Sequence, residues 1–144
     1  MNLIQDVITG ITKKLSNFKA TVYVDEVKSN LDTPAFIVKL INHEHIRYPS
    51  NRFYKRLPIQ VVYIPESDED CSFEIYQVIS ELNYLLEVIE LSDGSLIRGK
   101  DIDHSVENSV LYFYITYSGF ERLVESNPTM DNMELKNGVE DIGN

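Results

Sequence analysis

The chain has 144 residues, 43% apolar and 25% charged, with a formal net charge of -10 at pH 7. That length and balance suit one ordinary soluble domain, and no apolar run approaches the ~20 residues that cross a bilayer. The excess of carboxylates argues against general nucleic-acid wrapping, which needs Lys and Arg to neutralise phosphates. A lone cysteine, Cys71, excludes an intrachain disulfide and a cysteine-based zinc cage.

Leu3, Ile4, Val7, Ile8, Ile11 and Leu15 recur at three- and four-residue spacing, which predicts an amphipathic helix from about Asn2 to Leu15 with Asn2 as N-cap and Gly10 as a weak point. This stretch, with Asp6 early and no continuous apolar run, does not resemble a secretory signal, so the chain is expected to stay in the cytoplasm of its producer. Thr21 to Asp25 alternates as a short strand, and Ser29 to Asp32 is a loop. Two long apolar strands follow, from about Pro34 to Ile46 and from about Phe53 to Ile64. Tyr48-Pro49-Ser50-Asn51 supplies the turn between them. Pro58 cannot donate to a ladder, so a bulge or an edge is expected there. Arg47, Arg52, Lys55 and Arg56 crowd this hairpin, and no acid occurs from His45 to Pro65.

An acidic loop, Glu66-Ser67-Asp68-Glu69-Asp70, precedes a second helix of about five turns traced by Phe73, Tyr76, Ile79, Leu82, Leu86 and Ile89, with Ser67 or Asp68 near its cap. Ser92-Asp93-Gly94-Ser95 makes a turn, and Leu96 to Asn108 and Ser109 to Ser118 read as a strand pair joined at Glu107-Asn108. In the last strand Leu111, Phe113, Ile115 and Tyr117 share one face. Val110, Tyr112, Tyr114 and Thr116 share the other, and its two tyrosines should be covered by a helix or another subunit. Periodicity fails after Val124, so residues 125–144 are expected to form a flexible acidic tail on a 1–124 domain. The fold class predicted is α+β: one domain, a mostly antiparallel sheet of about five strands packed by two helices, in the order α-β-β-β-α-β-β.

Three groupings offer chemistry. On a strand His43 and His45 point one way and Glu44 the other, unlike the helical H-E-x-x-H zinc arrangement, and a polar strand end accounts for them. Asp101 and Asp103 on one face, with His104 opposite, are the carboxylates that a metal-dependent nuclease or hydrolase would use. An outward, solvated strand face is the ordinary and preferred explanation, because no Lys or Glu motif completes a nuclease constellation and Arg98 and Lys100 alternate in the same segment. Cys71 opens a helix, where the dipole favours a thiolate, but Glu66, Asp68, Glu69, Asp70 and Glu74 oppose it. No phosphate loop, nucleophile elbow or dinucleotide fingerprint occurs. Neither a catalytic residue, a metal site nor a cofactor is therefore assigned, and the chain is not expected to be an enzyme. A small regulatory binding module is a further alternative.

The runs Tyr23-Val24-Asp25-Glu26-Val27-Lys28, Thr33-Pro34-Ala35-Phe36-Ile37-Val38, Asn51-Arg52-Phe53-Tyr54-Lys55-Arg56 and Val61-Val62-Tyr63-Ile64-Pro65, in this order, resemble the tail terminator (tail completion) family of bacteriophages and prophages of Gram-positive bacteria. The resemblance covers about residues 1–124. It implies a small α+β subunit of the virion tail, assembled in the host bacterial cytoplasm into a homo-oligomeric ring, expected as a hexamer. That ring would close the head-proximal end of the tail tube, stop its polymerisation and meet the head–tail connector. A chain alone in solution can be monomeric if the tube is the template. Tail tube protein, connector protein and a second copy are the expected partners, with neither membrane nor sequence-specific nucleic acid among them. The expected subunit or tube contacts are Arg47, Arg52, Lys55, Arg56, Tyr112 and Tyr114.

Overall fold

A computed structural model describes residues 2–25, 30–66 and 71–122. The N-terminal stripe forms helix α1, Leu3–Leu15, with Leu3, Val7, Gly10, Ile11 and Leu15 buried. The Asn2 Oδ1 accepts the Gln5 N–H at 3.1 Å and so satisfies one of the unpaired donors of the first turn. Gly10 is more than a tolerated weak point. A Cβ there would stand 3.1 Å from the Glu90 carbonyl oxygen and 3.2 Å from the Ile89 side chain, so its absence lets the helix lie close on a strand.

The strands are β1 (Thr21–Val24), β2 (Ala35–Leu40), β3 (Glu44–Tyr48) and β4 (Arg52–Ile64), then, after helix α2 (Ser72–Leu85), β5 (Val88–Glu90), β6 (Leu96–Glu107) and β7 (Val110–Arg122). They form one sheet ordered β1-β2-β4-β7-β6-β5, with β3 paired to β4 off that path. Only the β1–β2 pair is parallel. The α+β class holds, with seven strands among the described residues rather than about five. One extra strand arises because the first long strand breaks at Ile41. β2 pairs with the Ile59–Ile64 half of β4 and β3 with its Arg52–Arg56 half. Pro58 sits at the junction: its carbonyl accepts the Ile41 N–H at 3.0 Å, and its missing N–H faces the place where one partner strand gives way to the next. Pro58 thus stands at neither the expected bulge nor an edge: β4 runs unbroken through it between β7 and its other partners, and the interruption falls in the partner strand.

The other extra strand is β5, whose Val88 and Ile89 continue a helical spacing although α2 has already ended at Leu85. The phase of α2 also differs from expectation. Ile75, Val78 and Leu82 face the core, whereas Phe73 and Tyr76 are 84% and 60% exposed. Its N-cap position is Cys71, which makes no side-chain cap bond; Ser67 and Asp68, the expected caps, lie outside the described residues, as does the 125–144 segment.

Both helices pack into one core with the inner sheet face, formed by Phe36 and Val38 of β2, Leu57, Ile59, Val61 and Tyr63 of β4, and Leu111, Phe113, Ile115 and Tyr117 of β7. Burial of each such side chain is worth roughly 1.5–3 kcal/mol. Turn chemistry closes the hairpins: Ser50 and Asn51 have φ of 67° and 56°, and Asn108 and Ser109 have φ of 52° and 62°. Glu107 pairs with Val110, so the second turn is Asn108-Ser109, one residue on from the expected connection.

Candidate contact surface

Side-chain alternation sorts the hairpin cations onto two faces. β3 is exposed at every residue, and with the facing parts of β4 and β7 it forms an arm. On the face continuous with the core lie His45, Arg47, Phe53, Lys55 and Glu121. The His45 ring stacks on Phe53 at 4.7 Å, and the Arg47 guanidinium sits 5.7 Å from the same ring. Lys55 bonds Glu121 at 2.5 Å with both side chains largely buried, at 14% and 17% exposure. Glu121 also accepts the Leu3 N–H at 3.3 Å, so one carboxylate ties β4, β7 and the start of α1 together at the base of the arm.

The opposite, outer face carries Ile46, Tyr48, Arg52, Tyr54, Arg56 and Phe120. Tyr48 and Tyr54 meet the Phe120 ring edge-on at 5.5 and 5.4 Å, and the Arg52 guanidinium lies 5.2 Å over it. Farther along the same face Gln60 donates to the Tyr114 hydroxyl at 3.2 Å. Ile37, Lys39, Val62, Ile64, Val110 and Tyr112 join Gln60 around a shallow depression of about 340 Å³. Tyr112 is half-buried and Tyr114 is exposed. Among the described residues both helices pack on the other face, so no helix covers these tyrosines.

Of the six expected contact residues, Arg52, Arg56, Tyr112 and Tyr114 therefore share one face, while Arg47 and Lys55 lie on the other. Tyr54, Ile46 and Phe120 belong to the same surface and escaped the sequence reading. Continuing the alternation of β7 past Ser118 to Arg122, where the strand ends, would have found Phe120.

The groupings considered for catalysis fall apart in space. His43 precedes β3 and donates its N–H to Asn42, while His45 is stacked on Phe53. A register shift between Lys100 and Asp103, with Asp101 at φ 54°, breaks the simple alternation that would set Asp101 and Asp103 side by side. The Asp101 carboxylate reaches toward Arg56 at 3.6 Å, and the Asp103 carboxylate accepts the His104 N–H at 2.8 Å. Cys71 is buried. Among the described residues no three His, Cys, Asp or Glu side chains gather where a metal would need them, and no helix is long and apolar enough to cross a membrane.

An aromatic and cationic sheet face, open to solvent, is the equipment of a protein that works by contact with other proteins. A family model for phage tail terminator proteins matches residues 6–129, and the chain belongs to that family. It is thus a structural component of a phage tail. Among solved structures, one chain is similar at 17% identity and a TM-score of 0.43, covering 85% of this chain and 98% of its own. No curated protein matches.

Proposed function

We propose that the chain caps the head-proximal end of the tail tube as a homo-oligomeric ring, hexameric in the family pattern. The ring ends tube polymerisation in the host cytoplasm and offers the head–tail connector a surface. The observation that carries this reading is the outer sheet face: Tyr48, Tyr54, Phe120, Tyr112 and Tyr114 with Arg52 and Arg56, on a sheet that the helices cover only from the other side. A face of that composition is suited to burial against other subunits. The work done is positional, so it calls for neither metal nor cofactor.

The test is complementation in a phage lacking this protein. The natural chain is expected to restore tails of uniform length joined to heads. The variant Arg52→Glu, Arg56→Glu, whose substitutions lie on the surface and leave the core intact, is expected to be recovered folded yet to give overlong or headless tails. Normal tails from the charge-reversed variant, or in the absence of the protein altogether, would overturn the reading.

A further inference from the structure

Helix α2 exposes a second aromatic surface. Phe73, Tyr76 and Tyr84 are 84%, 60% and 84% exposed, although the core takes Ile75, Val78 and Leu82 from the same helix. Phe73 and Tyr84 are separated by three helical turns and so point the same way, with Tyr76 beside that line. At the N-terminal end the stripe runs into a groove of about 130 Å³ lined by Cys71, Ser72, Ile75, Tyr76, Val106 and Ser109. Three large aromatic rings held in water on one helix are an apolar patch that an isolated domain gains nothing by keeping.

The charge around this stripe is the opposite of that on the arm. Helix α2 carries Glu74 and Glu81 and no Lys, Arg or His, while Glu87 just beyond it is paired with Arg98 at 2.8 Å. In β3 and the facing part of β4, Arg47, Arg52, Lys55 and Arg56 stand against one carboxylate, Glu44, which lies opposite Arg56. Pairing outer face with outer face would bring Arg52 and Arg56 against their own copies. Helix against helix would do the same to Glu74 and Glu81. Like charges brought together at an interface cost several kcal/mol. Arm against helix brings opposite charge and aromatic surface together at once. Ile46, Tyr48 and Phe120 of the arm are 44%, 39% and 55% exposed, so the chain's own helix does not occupy them.

We propose that the α2 stripe of Phe73, Tyr76 and Tyr84 is the docking site for the β3–β4 arm of a second copy of this chain. The interface is heterologous: each subunit presents an arm to one neighbour and a helix to the other, the geometry that yields a ring when its rotation closes. The inference rests on the ring reading above and adds which face meets which.

The experiment uses full-length Cys71→Ser chain carrying Tyr48→Cys, Tyr84→Cys, or both, produced in the phage and recovered on purified tails. A short bismaleimide linker is then applied. All the introduced cysteines replace exposed tyrosines, and unchanged thermal unfolding checks that each variant folds. The expected result is a ladder of covalent oligomers beyond the dimer in the double variant, and none in either single variant. Dimers from a single variant would mean a symmetric interface and overturn the proposal. So would a double variant present on tails but giving no ladder, and in that case the ring reading stands with a different contact. Absence of the natural chain from purified tails, read by immunoblot, overturns both.

Discussion

The Tyr117 hydroxyl donates to the Leu86 carbonyl at 2.5 Å from within the core, satisfying an acceptor at the C-terminal end of α2 that the helix itself leaves open. Burial pushes the phenol's pKa up, because an ionised ring would have no water around it. Tyr63 shifts the same way, first through burial and then through the hydrogen bond its hydroxyl donates to Glu74. An unfolded tyrosine ionises near pH ~10. Stability from these two groups is therefore fully present below that pH, and it is lost as pH rises further, because the unfolded chain then releases protons that the folded chain keeps. Urea midpoints measured from neutral pH to about pH 11 are expected to fall steeply above pH ~10. Tyr117→Phe should make that fall shallower while costing about 1 kcal/mol at neutral pH through the abandoned carbonyl. An unchanged alkaline slope in the variant would contradict this assignment. Asp93 acts at the other end of the scale. Its carboxyl is held below the usual range by side-chain and backbone hydrogen bonds from Ser95, so its contribution is present above the ordinary carboxylate pKa and lost as pH falls through the lowered one.

At the scale of elements, the arm depends on one partly buried ion pair. Lys55 and Glu121 bind across β4 and β7, and Glu121 also receives the first N–H of α1. Glu121→Gln keeps an acceptor for Leu3 but leaves the Lys55 ammonium without its counter-charge. The expected cost is about 2 kcal/mol, between that of an exposed pair and that of a fully buried one. Replacing both residues by Met should recover most of it, since two apolar side chains need no partners. Equal stability of natural chain and Glu121→Gln in urea would show that the pair is no anchor. How far these elements were legible depended on local chemistry. α1 was readable because its apolar residues occupy one stripe and its other side is polar. The arm turn was readable because Pro49, Ser50 and Asn51 suit its backbone, the last two at positive φ. The phase of α2 was not readable, since Phe73, Tyr76 and Tyr84 make it apolar on both sides and periodicity then has two solutions. Val88 and Ile89 continued one of them, which hid β5. The outer sheet face was half legible: alternation separated Tyr112 and Tyr114 from the core residues of β7 and Lys55 from Arg52 and Arg56 in β4, but only the register between β3, β4 and β7 shows that Arg47 turns away from Arg52 and Arg56 and that the two tyrosines share their face.

For the whole molecule two electrostatic effects compete, and their ranges decide which one acts. Each copy carries a net charge of -10, so copies repel at long distance. In the interface proposed above, the cationic arm and the α2 carboxylates attract, but only near contact. At about 0.01 M salt the screening length is ~30 Å and the full charge of an approaching subunit is felt, so repulsion slows encounter. Near 0.1 M it is ~10 Å, which removes the long-range term and leaves the facing patches. Toward 1 M it falls to ~3 Å, and the patches are screened as well. The rate at which copies associate on tail tubes, read by energy transfer between two labelled preparations of the full-length chain, is therefore expected to pass through a maximum near ~0.1 M salt. In Arg52→Glu, Arg56→Glu the attraction is gone and the repulsion is greater, so the rate should start lower and rise steadily with salt. A steady rise in the natural chain would mean that opposite patches do not meet at the interface. A steady fall would mean that local attraction outweighs the net charge at every distance.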